Sequence, residues 1–273
     1  MTVLDLGIAT ATPLSRRTWF VRTLQVSVIV FFVGAWEVLG QLGILDKFYY
    51  SRPSLFLPRI GGWFAEGLGP RSLWNDMGVT LLETVLGFVI GTLLGVVIGY
   101  AFARNRLLGQ AFDPLLSMFN AIPRLVLAPV FILAFGIDLA SKVALGVTLV
   151  FFIVFFATFT AVRDVDQTLV DNVRVLGARR RDVTFEVLLP AAFSAIVASL
   201  RTSAGFAFAG AVVAEYIGSN AGLGRRIATA EAFFDSTGVF GGIVVIAFLA
   251  LVLDAGLQLA EGAFSRWKPR REQ

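Results

Sequence analysis

The chain has 273 residues, of which 57% are hydrophobic and only 15% charged, where soluble domains carry roughly 25% charged residues. With a mean hydropathy of +0.80, a soluble fold would have to expose large apolar patches, so the sequence reads as an all-α integral membrane protein. The net charge of +4 is no argument for nucleic acid, and the absence of Cys and His removes disulfides, thiol nucleophiles, the commonest general base and the commonest metal ligands, so no metal is expected.

Six segments are long and apolar enough to predict spanning helices, at about 20 residues each: 24–42, 79–102, 112–135, 143–162, 191–213 and 238–259. Residues 1–20 form a tail carrying Arg16 and Arg17, and the first span reads as an uncleaved anchor. The transmembrane domain then runs over 21–265, and 266–273 forms a second polar tail. Residues 43–76 make a long connection rich in Pro and Gly, where Trp63 and Trp74 suit an interfacial belt.

In the second span Gly87, Gly91, Gly95 and Gly99 recur every four residues and form one smooth helix stripe. The stripe suits either a sliding or dimer interface, or tight packing inside one chain. Asn120-Ala-Ile-Pro-Arg124 interrupts the third span. Pro123 predicts a kink. Arg124 requires a cavity, a carboxylate or an interface, since a charge facing lipid is expensive. It belongs to a gate or solute path, or to a structural pair near one membrane face. Arg201 interrupts the fifth span in the same way.

Glu37, Glu83, Arg201, Glu215, Asp254 and Glu261 are the remaining ionisable groups in or near spans. Most lie within about two turns of a predicted helix end, where snorkelling is cheap, so a proton relay is not expected. Residues 216–237 form a second outer connection broken by Gly218, Gly222 and Gly224.

Orientation follows from Lys and Arg. One face holds 14 of them and the other 7, with Arg124 and Arg201 completing the 23. The richer face contains both termini and the loop 163–190, so an N-in, C-in topology is expected. Within that loop Asp171–Pro190, DNVRVLGARRRDVTFEVLLP, carries four Arg and three acidic residues between two apolar blocks. Val173, Leu176, Val183, Val187 and Leu188 have spacings compatible with two short amphipathic helices. Gly177 stands at the break, and Pro190 opens the next span at its first turn. A plain positive-inside loop would not need that pattern. A docking surface for a soluble partner would, with Val183, Phe185, Val187 and Leu188 as apolar anchors and the arginines setting orientation.

That loop resembles the cytoplasmic EAA signature of bacterial ABC importer permeases. Gly177 and Leu189-Pro190 keep its spacing, while Asp171-Asn172-Val173 stands where Glu-Ala-Ala is usual. The stretches 120–137 and 214–224, with 234–240 and 252–254, look like the nitrate/sulfonate/taurine branch of these permeases, and the resemblance covers about residues 72–265. It implies a type I ABC importer permease of six transmembrane helices in a bacterial plasma membrane. It implies a partner-docking role for Asp171, Gly177, Ala178, Arg180, Val183, Phe185, Val187, Leu189 and Pro190. It further implies two cytoplasmic ATPase subunits that bind ATP and Mg, an extracytoplasmic solute-binding protein, and a second permease copy. Asn120, Pro123, Arg124 and Arg201 are its candidates for the translocation path.

No GxxxxGK[ST] occurs in the chain, so no cofactor is expected here and the chain is not expected to be an enzyme. The expected solute is a sulfonate, taurine, nitrate or similar, or in the same branch a vitamin precursor such as a pyrimidine or riboflavin. From composition alone, an ion-coupled secondary carrier is the alternative. It would need inverted repeats and a midplane carboxylate.

Overall fold

The computed structural model describes residues 18–105, 107–109, 111–112, 118–119 and 122–264. Predicted features at Asn120, in the tail 1–17 and in the tail 266–273 lie outside the described residues. The described residues are helical throughout their regular parts, with no strand among them. The helices are α1 (Thr18–Gln41), α2 (Pro53–Ala65), α3 (Leu73–Arg104), α4 (Ala128–Phe135), α5 (Leu139–Arg163) and α6 (Gln167–Val175). They continue with α7 (Arg180–Ile217), α8 (Leu223–Ala232) and α9 (Ser236–Phe264). Five of them, α1, α3, α5, α7 and α9, are long and apolar enough to cross a membrane.

α3, α5 and α7 form the centre of the bundle, with α5 between the other two. The glycine stripe decides how closely α3 and α5 approach. Gly87, Gly91, Gly95 and Gly99 are all buried. A Cβ on Gly87 would lie 3.1 Å from Gly146 Cα, one on Gly91 2.7 Å from Val150 Cβ, and one on Gly95 2.8 Å from Val154 Cβ. The stripe therefore serves packing inside one chain, and the reading as a sliding or dimer surface is set aside.

Ser72 starts α3. Its hydroxyl accepts from the Asn75 N–H at 3.2 Å, a side-chain cap that satisfies one of the helix's orphan donors. The cap places the helix start at Leu73, six residues before the predicted start of the span. Glu83 consequently lies ten residues inside the helix and is buried, 3% exposed. The expectation of a shallow, snorkelling carboxylate fails there.

The third predicted span is broken. Pro123 is extended, Arg124–Leu127 form a 3-10 turn, and α4 follows. The continuous apolar helix is Arg124–Phe135, 12 residues. At ~1.5 Å per residue it reaches about 18 Å, well short of a ~30 Å hydrocarbon core. The guanidinium of Arg124 lies 4.5 Å from the Phe152 ring centroid, a cation–π contact with α5.

Trp63 does not belong to an interfacial belt. It is buried against Gly241 of α9 in a core with Leu73, Phe208, Leu223, Val245 and Leu249. Trp74 is half exposed, with its indole N–H directed at the Phe64 carbonyl at 3.4 Å.

A buried polar cluster fastens the segment between α7 and α8 to α3. The carboxylate of Glu215 accepts from the Thr80 hydroxyl at 2.7 Å and from the Gly224 N–H at 2.7 Å. Thr80 accepts in turn from the Leu223 N–H at 3.0 Å. Asp76 accepts from the Gly222 N–H at 2.9 Å and from Arg226 Nε at 2.8 Å. Lys142 is fully buried beside this cluster, donating to the carbonyls of Ile137 and Asp138. Buried charges are tolerated only when paired and hydrogen-bonded in this way.

Candidate functional site

The loop 163–190 is built from the end of α5, the short helix α6 and the first turns of α7. Asp166 starts α6. Its carboxylate accepts from the Thr168 N–H at 2.8 Å, and that hydrogen bond holds its pKa below the usual aspartate value. α6 ends in a Schellman motif. The Gly177 N–H donates to the Arg174 carbonyl at 2.9 Å and the Ala178 N–H to the Val173 carbonyl at 3.2 Å. Gly177 takes φ +92°, a backbone conformation that glycine enters without steric cost. The predicted helix–Gly–helix break is present at this residue.

The second helix differs from expectation. It is not a separate element. Arg180–Asp182 runs through a π-helical turn, Val183–Leu188, directly into Leu189–Ile217. Pro190 stands in the first turn of the α-helical stretch Leu189–Ile217, as expected, but the π turn runs into that stretch without a break. Pro190 has no N–H to give, and the wider π turn immediately before it is the local adjustment that carries the helix past. Asp182 secures the start by accepting from the Arg179 N–H at 2.8 Å.

Burial sorts the expected anchors. Val183 and Leu188 are turned inward, in a core with Val162, Val165, Val170, Ala192 and Ile196, and Val187 packs against it. These three hold the loop onto its own bundle, because the apolar face of the π turn is the face that meets α5 and α6. Phe185 alone of the four points outward, at 60% exposure, with Arg181 over its ring at 5.7 Å. Leu169, Val175 and Leu176 are exposed on α6 and at its end. Periodicity named Leu176 but not Leu169 or Val175, and it did not assign their faces, which follow only once the inward face of α6 is known.

Of the remaining loop residues, Asp171, Arg180 and Pro190 are exposed, and Ala178 and Leu189 half-buried. Asp171 and Arg174 form an exposed i,i+3 pair at 3.1 Å, a type of contact worth little for stability.

Behind the loop lies a cavity of about 710 Å³, bounded by the end of α3, the end of α5, α6 and the π turn. Arg104, Arg163, Arg174 and Arg180 line it. Arg104 donates to the Tyr100 hydroxyl at 2.8 Å and to the Thr184 hydroxyl at 2.6 Å, and Tyr100 and Thr184 share a hydrogen bond of 2.6 Å. This triad ties α3 to the π turn. The loop is thus exposed, basic and apolar at its tip, and rigidly joined to two long helices. It carries no paired catalytic carboxylates, and among the described residues no group of His, Cys, Asp and Glu could hold a metal.

Arg201 lies elsewhere, twelve residues beyond Leu189 in α7, where it pairs with Asp254 of α9 at 3.3 Å. The structure does not bring it into contact with Arg124. Neither do Glu83 and Glu215, deep in the bundle, belong to the loop.

Comparison with known proteins agrees with this architecture. Residues 87–266 match the family described as "Binding-protein-dependent transport system inner membrane component". The chain is 32% identical over 253 residues to a putative aliphatic sulfonates transport permease protein, SsuC, of Bacillus subtilis (strain 168), covering 93% of this chain and 89% of that protein. It is 27% identical over 258 residues to the taurine transport system permease protein TauC of Escherichia coli (strain K12), covering 93% and 92% respectively. A solved chain of the MetNI methionine ABC transporter, in an inward-facing conformation, superposes with a TM-score of 0.57 at 18% identity. It covers 75% of this chain and 97% of that one, a likeness of fold. The chain belongs to the family of inner membrane components of binding-protein-dependent transport systems, and is a multi-pass permease of the ABC type.

Proposed function

We propose that this permease imports a small sulfonate, with an aliphatic sulfonate or taurine as the solute, and that the loop 163–190 couples it to ATP hydrolysis on a separate subunit. The solute follows from the relatives with which it shares 32% and 27% identity over nearly its whole length. The observation that carries the coupling role is the continuous helix α7. Its first turns stand in the exposed loop and its other end reaches the buried Glu215 cluster. A push on the loop therefore moves a spanning helix as a lever.

In this reading two cytoplasmic ATPase subunits, holding ATP and Mg, close and draw together two loops, one from each permease of a homodimer. Phe185, Leu169, Val175 and Leu176 supply the apolar contact, and Arg180 and its neighbours the orientation. Gly177 fixes the turn between them. The helices exchange inward-open for outward-open packing, a two-state element biased by differential contacts. An extracytoplasmic binding protein delivers the solute to the opposite face. The topology is N-in, C-in, and the broken segment 112–135 serves as a sixth crossing. Pro123 and Arg124 there line part of the path, together with Asn120 and Arg201.

The test is uptake of radiolabelled taurine and ethanesulfonate into proteoliposomes that hold permease, ATPase and binding protein. Uptake is expected to need internal ATP and external binding protein, and to ignore ion gradients. Gradient-driven uptake without ATP contradicts the coupling. ATP-driven uptake of riboflavin with none of either sulfonate contradicts the solute.

A further inference from the structure

A cavity of about 460 Å³ opens between α3, α7 and α9, and its chemistry is unlike that of the loop. Its walls are Val85, Phe88 and Val89 on one side and Ala250, Val252 and Leu253 on the other. The polar groups are concentrated in one ion pair, Arg201 with Asp254, and among the described residues Thr84 is the only other polar side chain in the lining. Small-molecule sites have this form, a mostly apolar cleft of about 300–1,000 Å³ with a few placed polar groups.

The placing of the pair is unusual. Arg201 lies twelve residues beyond Leu189 and sixteen before Ile217, about 18 Å inside that stretch at ~1.5 Å per residue, while Asp254 lies five residues before the end of the apolar span Ser236–Leu259. Their side chains are 49% and 47% exposed within this chain. A charge placed as far inside a span as Arg201 faces water or a partner and not lipid. The pair is also loose. Its two contacts are 3.3 and 3.4 Å, against about 2.7–2.9 Å for a well-made charge-assisted bond. Asp254 has a second partner in Gln258, whose amide donates at 2.6 Å. The carboxylate can therefore release the guanidinium and remain satisfied.

We propose that this cavity is a solute subsite on the translocation path. A small amphiphile seats its acidic oxyanion head on Arg201, displacing Asp254, and lays its apolar tail against Phe88 and Val252. The planar guanidinium fork matches an oxyanion, and the freed Asp254 carboxylate accepts an ammonium when the solute carries one, as taurine does. Helix α7 carries both Arg201 and the coupling turn, so loop movement alters the subsite directly. The inference rests on the importer reading and names the site and head-group chemistry that reading leaves open.

The test uses the Cys-free chain. A Cβ at Gly205, which lines the cavity, meets nothing within 4 Å, so Gly205→Cys places a thiol there without a clash. The rate of maleimide labelling is followed in the assembled complex, in detergent and in phospholipid nanodiscs. Pentanesulfonate is expected to slow labelling about tenfold at ten times its half-protecting concentration, as mass action requires. Sulfate, with no tail, is expected to protect more weakly. Adding Arg201→Gln should abolish protection and Arg201→Lys should keep part of it. Adding Asp254→Asn should lower the half-protecting concentration of pentanesulfonate, because a competing anion is gone. A merely structural ion pair would give the opposite or no shift, and that result holds even if Arg201→Gln fails to assemble. Absence of protection by pentanesulfonate overturns the proposal. So does labelling that is slow in nanodiscs without sulfonate and fast in detergent, since phospholipid is then the occupant. Uptake without protection sinks the subsite and leaves the transport function standing. Protection without uptake supports the subsite and sinks the assigned solute.

Discussion

At Gly224 the fold leaves no room for a side chain. A Cβ there would lie 2.2 Å from the Val212 carbonyl oxygen and 2.8 Å from both Glu215 Cβ and the Tyr216 nitrogen. Two of those three are backbone atoms of a buried helix and cannot swing away. Gly222 is confined as tightly, by the Glu215 carboxyl at 2.2 Å. The glycines let the loop backbone close over Glu215, so that the Gly224 N–H reaches a carboxylate otherwise short of donors. Gly224→Ala is therefore expected to destabilise the solubilised protein by about 1–3 kcal/mol, the usual cost of overpacking. Thermal unfolding followed by Trp fluorescence checks this. Gly61→Ala in α2, where a Cβ meets nothing within 4 Å, is the control and should be neutral or slightly stabilising. Equal unfolding temperatures for the two variants would contradict the account. In the sequence these glycines read only as breakers of regular structure. Their service to a carboxylate seven to nine positions earlier is a tertiary fact that local pattern does not carry.

Among the elements, the pairing of α3 with α5 is the part most fully legible in advance. A four-residue glycine repeat specifies a close helix approach, and only the identity of the neighbour was open. The neighbour is α5, with Val150 and Val154 seated over Gly91 and Gly95. Gly91→Leu is expected to destabilise by about 1–3 kcal/mol. Val150→Ala should restore part of the loss by making room, since residues in direct contact do not behave additively. A double variant no more stable than Gly91→Leu alone would point to a different neighbour. Element boundaries were less legible. Hydropathy missed the polar first turn of α3, because Ser72 caps it and Asp76 is buried by partners from α8 and its approach. Local pattern placed Pro190 in the first turn of a helix, where it stands, but did not show that a π turn joins that helix to Arg180–Asp182. The first miss comes from groups whose cost is met by distant residues, and the second from a local change of helix type that composition does not show.

For the molecule as a whole, membrane residence, helical class and the helix break at Gly177 were all readable, because each rests on composition or on local spacing. The direction that side chains face was not, which is why Val183 and Leu188 prove to be core and Leu169, Val175 and Leu176 prove to be surface. The bundle joins two ends by one helix. α7 begins in an exposed, basic loop, passes Arg201 and ends at the Glu215 cluster beneath the opposite face. Such a helix transmits displacement only if the turn that feeds it is firm, and the firmness of that turn depends on Gly177. A leucine there pays roughly 1–2 kcal/mol for the left-handed backbone and loosens the Schellman bonds to Val173 and Arg174. The most direct measurement is ATP hydrolysis by the Gly177→Leu complex in nanodiscs, with and without solute-loaded binding protein. The variant should insert into the membrane, yet show no stimulation by the loaded binding protein. Stimulation equal to that of the unaltered complex would contradict the coupling role of the loop.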